Sequence, residues 1–212
     1  VLYGAIMNYD PQDPLHRDKL ILSAGHKCLT LYGAMAELGV IDKAELKTYN
    51  QLGTRFPGHP DATKLPCFDF YRTYVIMGDG EQGEGSLWEA AAFAAHKKLD
   101  NLVAILDENS LQINGRTCDV CKPTDFEGRY ASFGWAVRSV DGNDVGALYD
   151  ALAAVPFEAG RPSLIVAKTT KSKGVSFLED QAKYHHWNPS KEDADRALAE
   201  LDAVAAERGW QA

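Results

Sequence analysis

Cysteine and basic residues are scarce in this chain, and long apolar runs are missing. Four cysteines in 212 residues are far too few for a disulfide-stapled scaffold. No stretch approaches the roughly 20 consecutive apolar residues of a membrane span, so none is expected to cross a bilayer. Lysine and arginine number 22 against 30 acidic residues, a formal charge of −8, which argues against nucleic acid as the main partner. An acidic protein can still hold an anion, but only through a local device such as a metal ion or a helix N-terminus. Repeats, low-complexity tracts and long linkers are also absent. With 45% hydrophobic residues, 25% charged and 18 glycines, collagen-like and disordered classes are excluded. The length suits one large domain spanning residues 1–212 rather than two.

What the chain does contain is unevenly informative. Cys118 and Cys121 form a CxxC, while Cys28 and Cys67 stand too far away in sequence to complete a zinc site. Metal or redox use of the pair competes with a plain reading, a turn carrying two half-buried thiols. Few cysteines and no signal peptide point to reduced thiols in a cytoplasmic setting. The first residue is Val1, so the sequence is expected to start inside something longer, with Val1–Met7 as the tail of a helix.

Short apolar runs alternate with helical stretches, the pattern of βαβ units and a mostly parallel sheet. Strands are expected at Lys19–Ser23, Thr73–Met77, Leu102–Leu106, Trp135–Val140 and Ser163–Lys168. Helices are expected at Leu29–Leu38, at Ser86–Leu99, at Val145–Ala154 with Asp144 as N-cap, and after Ser190, where Ala194, Ala197, Leu198, Leu201, Val204 and Ala205 keep helical spacing. That last helix has a charged opposite face and should pack on the outside. Ser86 and Glu89 have the spacing of a capping box. The alanine-rich body that follows, with Phe93, reads as a buried helix, and His96 on it as structural. The fold expectation is three-layer α/β/α.

Asp79 and Asn109 carry the chemistry. Each lies just beyond an apolar strand, and one helix of about fourteen residues joins them, roughly 20 Å at ~1.5 Å per residue. A right-handed crossover sets the two strands parallel and brings both residues to the carboxyl rim, where open α/β sheets bind ligands. A carboxylate, an amide oxygen and the carbonyls of a turn suit Mg²⁺ or Ca²⁺ rather than zinc. Magnesium of this kind completes its shell with water and phosphate oxygens. Gly78-Asp79-Gly80 alone marks many turns; the strand before it, the helix after it and the asparagine thirty positions on give it weight.

The segment GDGEQGEGSLWEAAAFAAHKKLDNLVAILDENSLQINGRT (residues 78–117) resembles the thiamine-diphosphate motif of the transketolase family, especially its split, two-subunit members. SAGH (residues 23–26), GHP (residues 58–60) and AKTTKSKGVSFLEDQAKYHH (residues 167–186) are similar to further family segments in the right order. The resemblance implies that Asp79, Asn109 and the main-chain carbonyl of Leu111 coordinate Mg²⁺. It puts the Gly78-Asp79-Gly80-Glu81 turn at the diphosphate, with the Gly80 N–H in contact, and Ile113 on the thiazolium ring. His26 and His185 fall where the family contacts the diphosphate or nearby substrate oxygens, and His59 where it contacts the donor ketose. His186 is a weaker claimant to the role of His185, and His16 reads as structural. Glu84 matches an acidic residue of the subunit interface.

The implied protein is the N-terminal, diphosphate-binding subunit of a split transketolase, active only with a pyrimidine-binding C-terminal subunit, as a heterotetramer working on sugar phosphates. Rival readings are a deoxyxylulose-phosphate-synthase-like decarboxylating enzyme, a non-catalytic homologue that kept the fold, and a flavodoxin-like nucleotide module. Two departures stand out. The family's SGHxG motif is absent, and KLPCFDF runs straight into YRTYVIM where the family has a glycine-rich turn and a helix. A segment is therefore expected to be missing between Phe70 and Tyr71.

Overall fold

The computed structural model describes residues 28–37, 39, 41–56, 58, 73–121 and 125–209, with the backbone alone of 19–22. Val1–Met7, His16, His26, His59, Cys67 and the Phe70–Tyr71 junction lie outside the described residues.

Five strands form the main sheet: β1 (Lys19–Leu22), β2 (Thr73–Gly78), β3 (Leu102–Glu108), β6 (Ala136–Asp141) and β7 (Ser163–Lys168). A two-stranded antiparallel hairpin, β4 (Leu111–Gln112) and β5 (Gly115–Arg116), stands apart. The main sheet has the order β1-β2-β3-β7-β6, and every pairing is parallel. The central strands read as unbroken apolar runs because both of their faces are covered. Val103 and Ile105 of β3 face one way with Ile165 and Ala167 of β7. They meet the helices α1 (Cys28–Glu37) and α5 (Val145–Ala153). Ala104, Leu106, Leu164 and Val166 face the other way, against α2 (Gly85–His96) and α4 (Phe126–Phe133). Two-residue alternation along each strand thus builds two cores on one sheet. The expected three-layer α/β/α architecture is what the chain adopts.

Most element boundaries follow the sequence reading within a residue or two. Asp144 caps α5 by accepting from the amides of Gly146 (2.8 Å) and Ala147 (3.2 Å). Ser190 caps α6 (Lys191–Glu207) in a full capping box with Asp193. None of the residues of α6 is buried, in keeping with a helix laid on the outside.

α2 departs from expectation in three ways. Its N-cap is Glu84, with no side-chain cap bond, so Ser86 and Glu89 sit inside the first turn and make no capping box. The helix stops at His96 rather than Leu99. Lys98 turns left-handed at φ 55°, and the amides of Lys98 and Leu99 bond back to Ala95 (3.0 Å) and Ala94 (3.1 Å), the pattern that closes helices in a left-handed residue. The helix is also only half covered. Ala91 and Ala94 are buried, but Phe93 is 59% exposed and His96 is exposed as well.

A short helix not foreseen from sequence, α3 (Thr117–Cys121), follows β5 and holds both cysteines of the CxxC. Both thiols are free and exposed, so the turn with half-buried thiols is replaced by an exposed helical pair.

Leu106 is fully buried between the sheet and α2/α4, whereas Leu198 of α6 is 57% exposed. Leu106→Ala should cost about 2–5 kcal/mol by loss of transfer energy and cavity formation. Leu198→Ala should change stability by less than about 0.5 kcal/mol. Urea denaturation of the two variants checks the assignment of core and surface.

Candidate functional site

β2 and β3 run side by side until Gly78 pairs with Asp107. The next residue, Asp79, donates its amide to the Asp107 carbonyl (3.2 Å) and leaves the sheet into a 3-10 turn, Gly80–Gly83. Its side chain is 2% exposed, which for a carboxylate demands donors nearby. Asp79 Oδ1 accepts from the Gly80 amide at 2.8 Å. Asp79 Oδ2 accepts from the Ser110 amide at 2.5 Å. The second bond spans thirty-one positions of sequence and ties the end of β2 to the turn after β3.

That turn is built by Asn109. Its Oδ1 accepts from the Leu111 amide at 3.0 Å, an Asx turn in which the side chain stands in for backbone. The geometry holds Ser110 at φ 62°, a left-handed conformation that costs a non-glycine residue about 1–2 kcal/mol. Asp107 orients the other end of the amide: its Oδ2 accepts from Asn109 Nδ2 at 3.1 Å, and its Oδ1 accepts from the Thr169 hydroxyl. Asn109 itself is buried. Asp79 and Asn109 therefore converge on one rim of the sheet, with Asp107 and Thr169 behind the amide.

Around this pair the turn is closely packed. Glu81 Oε2 accepts from the Gly78 amide at 3.1 Å, closing the turn on itself. Gln82 is buried, donates to the Gly78 carbonyl (3.2 Å) and accepts from the Tyr130 hydroxyl (3.0 Å). Its own carbonyl accepts from the Trp88 indole at 3.0 Å. Gly80 lies against the hairpin so tightly that a Cβ there would stand 2.8 Å from Gln112 Cβ. Leu111, at the start of the hairpin, is buried, while Ile113 at its tip is 60% exposed.

Arg116 of β5 forms a two-pronged ion pair with Asp180. This draws the segment after β7 toward the hairpin, and the short turn Ala182–Tyr184 packs on β5. His185 caps that turn, half-buried, with its ring 5.0 Å from that of exposed His186. Glu84 is exposed at the start of α2. The expected roles of His26 and His59 fall on residues outside the described part.

The electrostatics of the rim favour a cation. Glu108 Oε2 is buried with no hydrogen-bond partner among the described residues. Burial raises the Glu108 carboxyl above its usual range; Lys168 opposes the rise, and the negative charges of Glu127 and Asp79 add to it. Among the described residues no group of three His, Cys, Asp or Glu side chains is arranged for a metal ion, so a zinc-type cage is not the fit. One buried carboxylate, one amide oxygen and turn carbonyls are a hard-oxygen set instead, which Mg²⁺ or Ca²⁺ would accept.

Sequence reasoning did not single out Asp107, Thr169, Gln82 or Tyr130. Asp107 was recoverable, since it lies two positions before Asn109 at a strand end and so shares its face. The other three depend on tertiary contacts that carry no local signal.

A doubly covered parallel sheet with oxygen ligands gathered at its carboxyl rim defines the class of α/β domains that bind cofactors at the ends of their strands. The profile described as "Transketolase, thiamine diphosphate binding domain" matches residues 1–71 and 65–201. One of the two subunits of the apulose-4-phosphate transketolase of Phocaeicola vulgatus is 35% identical, with 94% of this chain and 80% of that protein covered. The 6-deoxy-6-sulfo-D-fructose transketolase subunit SqwG of a Clostridium species is 34% identical over 97% of this chain and 84% of its own length. Among solved structures, a transketolase from Pichia stipitis superposes with a TM-score of 0.83 at 26% identity, covering 95% of this chain. The chain spans 37% of that transketolase. This chain belongs to the transketolase family, and within it to the thiamine-diphosphate-binding domain.

Two outcomes test the packing of the site. Gly80→Ala should cost about 1–3 kcal/mol by forcing the hairpin away, and pairing it with Gln112→Gly should recover most of that loss in urea denaturation. The Tyr130 hydroxyl is pushed up from 10.0 to about 12, chiefly by burial and then by Glu81, with Arg129 and the Gln82 hydrogen bond acting the other way. The folded state thus holds this proton more tightly than the unfolded chain. The stability it contributes is intact below pH 10 and is lost as pH rises toward 12. Tyr130→Phe should lower stability at pH 8 by about 1 kcal/mol and flatten the decline in melting temperature on the alkaline side.

Proposed function

We propose that this chain is the diphosphate-binding subunit of a split transketolase. With Mg²⁺, thiamine diphosphate and a separate pyrimidine-binding subunit, it would transfer a two-carbon ketol unit from a ketose phosphate to an aldose phosphate. The observation that carries the reading is the Asp79 carboxylate held against the Asn109–Ser110–Leu111 turn. It gathers a carboxylate, an amide oxygen and a turn backbone where a hard cation can bridge protein and diphosphate.

In this assignment Asp79, Asn109 and the Leu111 carbonyl hold Mg²⁺, and the Gly80 N–H and the Gly78–Glu81 turn face the diphosphate. Gly80 is fit for that place because the hairpin leaves no room for a side chain. Ile113 offers an exposed apolar surface for the thiazolium ring. His26 and His185 hydrogen-bond the diphosphate or substrate oxygens and move protons at substrate hydroxyls, and His59 contacts the donor ketose. Exposed Glu84 and the uncovered face of α2 near Phe93 meet the partner polypeptide. Thiamine diphosphate, once bound, supplies the carbon–carbon bond chemistry. The chain alone is inactive, because the pyrimidine half of the cofactor belongs to the partner.

Coverage supports the split arrangement: this chain matches 80% and 84% of two separate transketolase subunits but 37% of a solved transketolase chain. Those relatives' names favour ketol transfer over the decarboxylating rival. Overlap of the two profile matches at residues 65–71 supports a segment missing between Phe70 and Tyr71. We assign the complete enzyme to a heterotetramer in the cytoplasm.

Calorimetry with Mg²⁺ and thiamine diphosphate, in the presence of the partner subunit, tests the core of this reading. Asp79→Ala should reduce cofactor affinity at least tenfold, about 1.4 kcal/mol, with an unchanged circular dichroism spectrum. Equal affinity in the variant would remove the metal assignment. Assaying the reconstituted pair against a panel of ketose phosphates then identifies the donor.

A further inference from the structure

Cys118 and Cys121 take no part in the cofactor site proposed above, yet their arrangement is specific. Both lie on α3 three positions apart, on one face of a single helical turn, and both are exposed free thiols. Cys28 provides the contrast: it is buried, with its thiol donating to the Gly58 carbonyl at 2.9 Å. Among the described residues no third ligand joins the pair to make a metal group, so thiol exchange is better served than metal binding. Cys118 donates weakly to Asp119 Oδ1 at 3.6 Å, and Arg116 at the preceding strand stands close enough to interact electrostatically with both residues.

The helix that bears these thiols is anchored directly to the rim. Thr117, its first residue, is buried and donates its amide to the Ser110 carbonyl at 3.0 Å. Ser110 in turn donates its own amide to Asp79 Oδ2 at 2.5 Å. Two backbone groups of one residue therefore join the dithiol helix to the buried carboxylate. Helical neighbours three apart have Cβ atoms about 5–6 Å apart, whereas a disulfide needs about 3.5–4.5 Å. Closing a bond between Cys118 and Cys121 must tighten the turn that begins at Thr117.

We propose that Cys118 and Cys121 are a redox-active dithiol that closes to an internal disulfide by exchange with a small-molecule disulfide, and that closure loosens the Ser110–Asp79 contact. One cysteine thiolate attacks a sulfur of the small disulfide, forming a mixed disulfide and releasing one thiolate. The second cysteine, as its thiolate, attacks the protein sulfur of that mixed bond and releases the other. Two cysteine thiols are oxidised, the small disulfide is reduced to two thiols, and the two protons lost by the cysteines pass to the released thiolates. Neither closure nor its effect on Ser110 rests on the cofactor reading.

Oxidised glutathione is the probe, with alkylation and peptide mass spectrometry as the readout. The wild-type chain should lose labelling at Cys118 and Cys121 together, its 117–121 peptide two hydrogens lighter, and dithiothreitol should restore both. Cys121→Ser should instead retain one glutathione on Cys118. Wild-type protein that keeps both thiols, or that accumulates stable glutathione adducts without an internal bond, overturns the dithiol. Hydrogen exchange reads the coupling without any cofactor: the Ser110 amide should exchange several-fold faster in the oxidised wild type and unchanged in oxidant-treated Cys118→Ser. A formed disulfide with unaltered Ser110 exchange overturns the coupling.

Discussion

A single hydrogen bond from the Ser110 amide to the Asp79 carboxylate organises the carboxyl rim of this molecule. Parallel neighbours such as β2 and β3 cannot be joined by a tight turn, so nothing local forces their ends to agree. The buried carboxylate does so by accepting from amides on both sides of the gap. A hydrogen bond to a charged group contributes about 1.5–3 kcal/mol, but burying the charge costs at least as much unless donors surround it. The rim is thus no source of stability. It is held in place by the two cores beneath it, where Leu106, Leu164, Ile165 and Val166 are fully buried.

The small hairpin β4–β5 links most of the functional expectations. Its backbone approach demands glycine at position 80, its tip exposes Ile113, its second strand carries Arg116 toward Asp180, and it runs into the helix of Cys118 and Cys121. Membership of the transketolase family gives this arrangement its context, since the thiamine-diphosphate-binding domain is the part that matches. Asp79, Asn109, Leu111, Gly80 and Ile113 all belong to one continuous stretch of structure between the end of β2 and the hairpin.

Much of this was legible before any coordinates. Alternating apolar runs located the strands, because a doubly covered parallel sheet writes its burial directly into sequence. Asp144 and Ser190 were readable as caps, since each begins an apolar-periodic stretch without a competitor nearby. Ser86 and Glu89 imitated the same signal but lie inside α2, whose N-cap is Glu84 with no side-chain bond. Lys98 ends that helix in a left-handed residue without the glycine that would announce it. The alanine run suggested full burial, yet small side chains are indifferent to exposure, and Phe93 points outward. Strands as short as β4 and β5 have no periodicity to detect. Asp107, which aligns the Asn109 amide, passed unnoticed beside the residue it serves.

The Arg116–Asp180 ion pair has a consequence of its own. Its two prongs fix how the segment leading to His185 meets the hairpin, yet both side chains stand well out in water. Mobile ions screen such a contact within about 8–10 Å at ordinary ionic strength. The attachment of that histidine-bearing segment is therefore a property of the medium as much as of the fold, tightening in dilute buffer and slackening in brine.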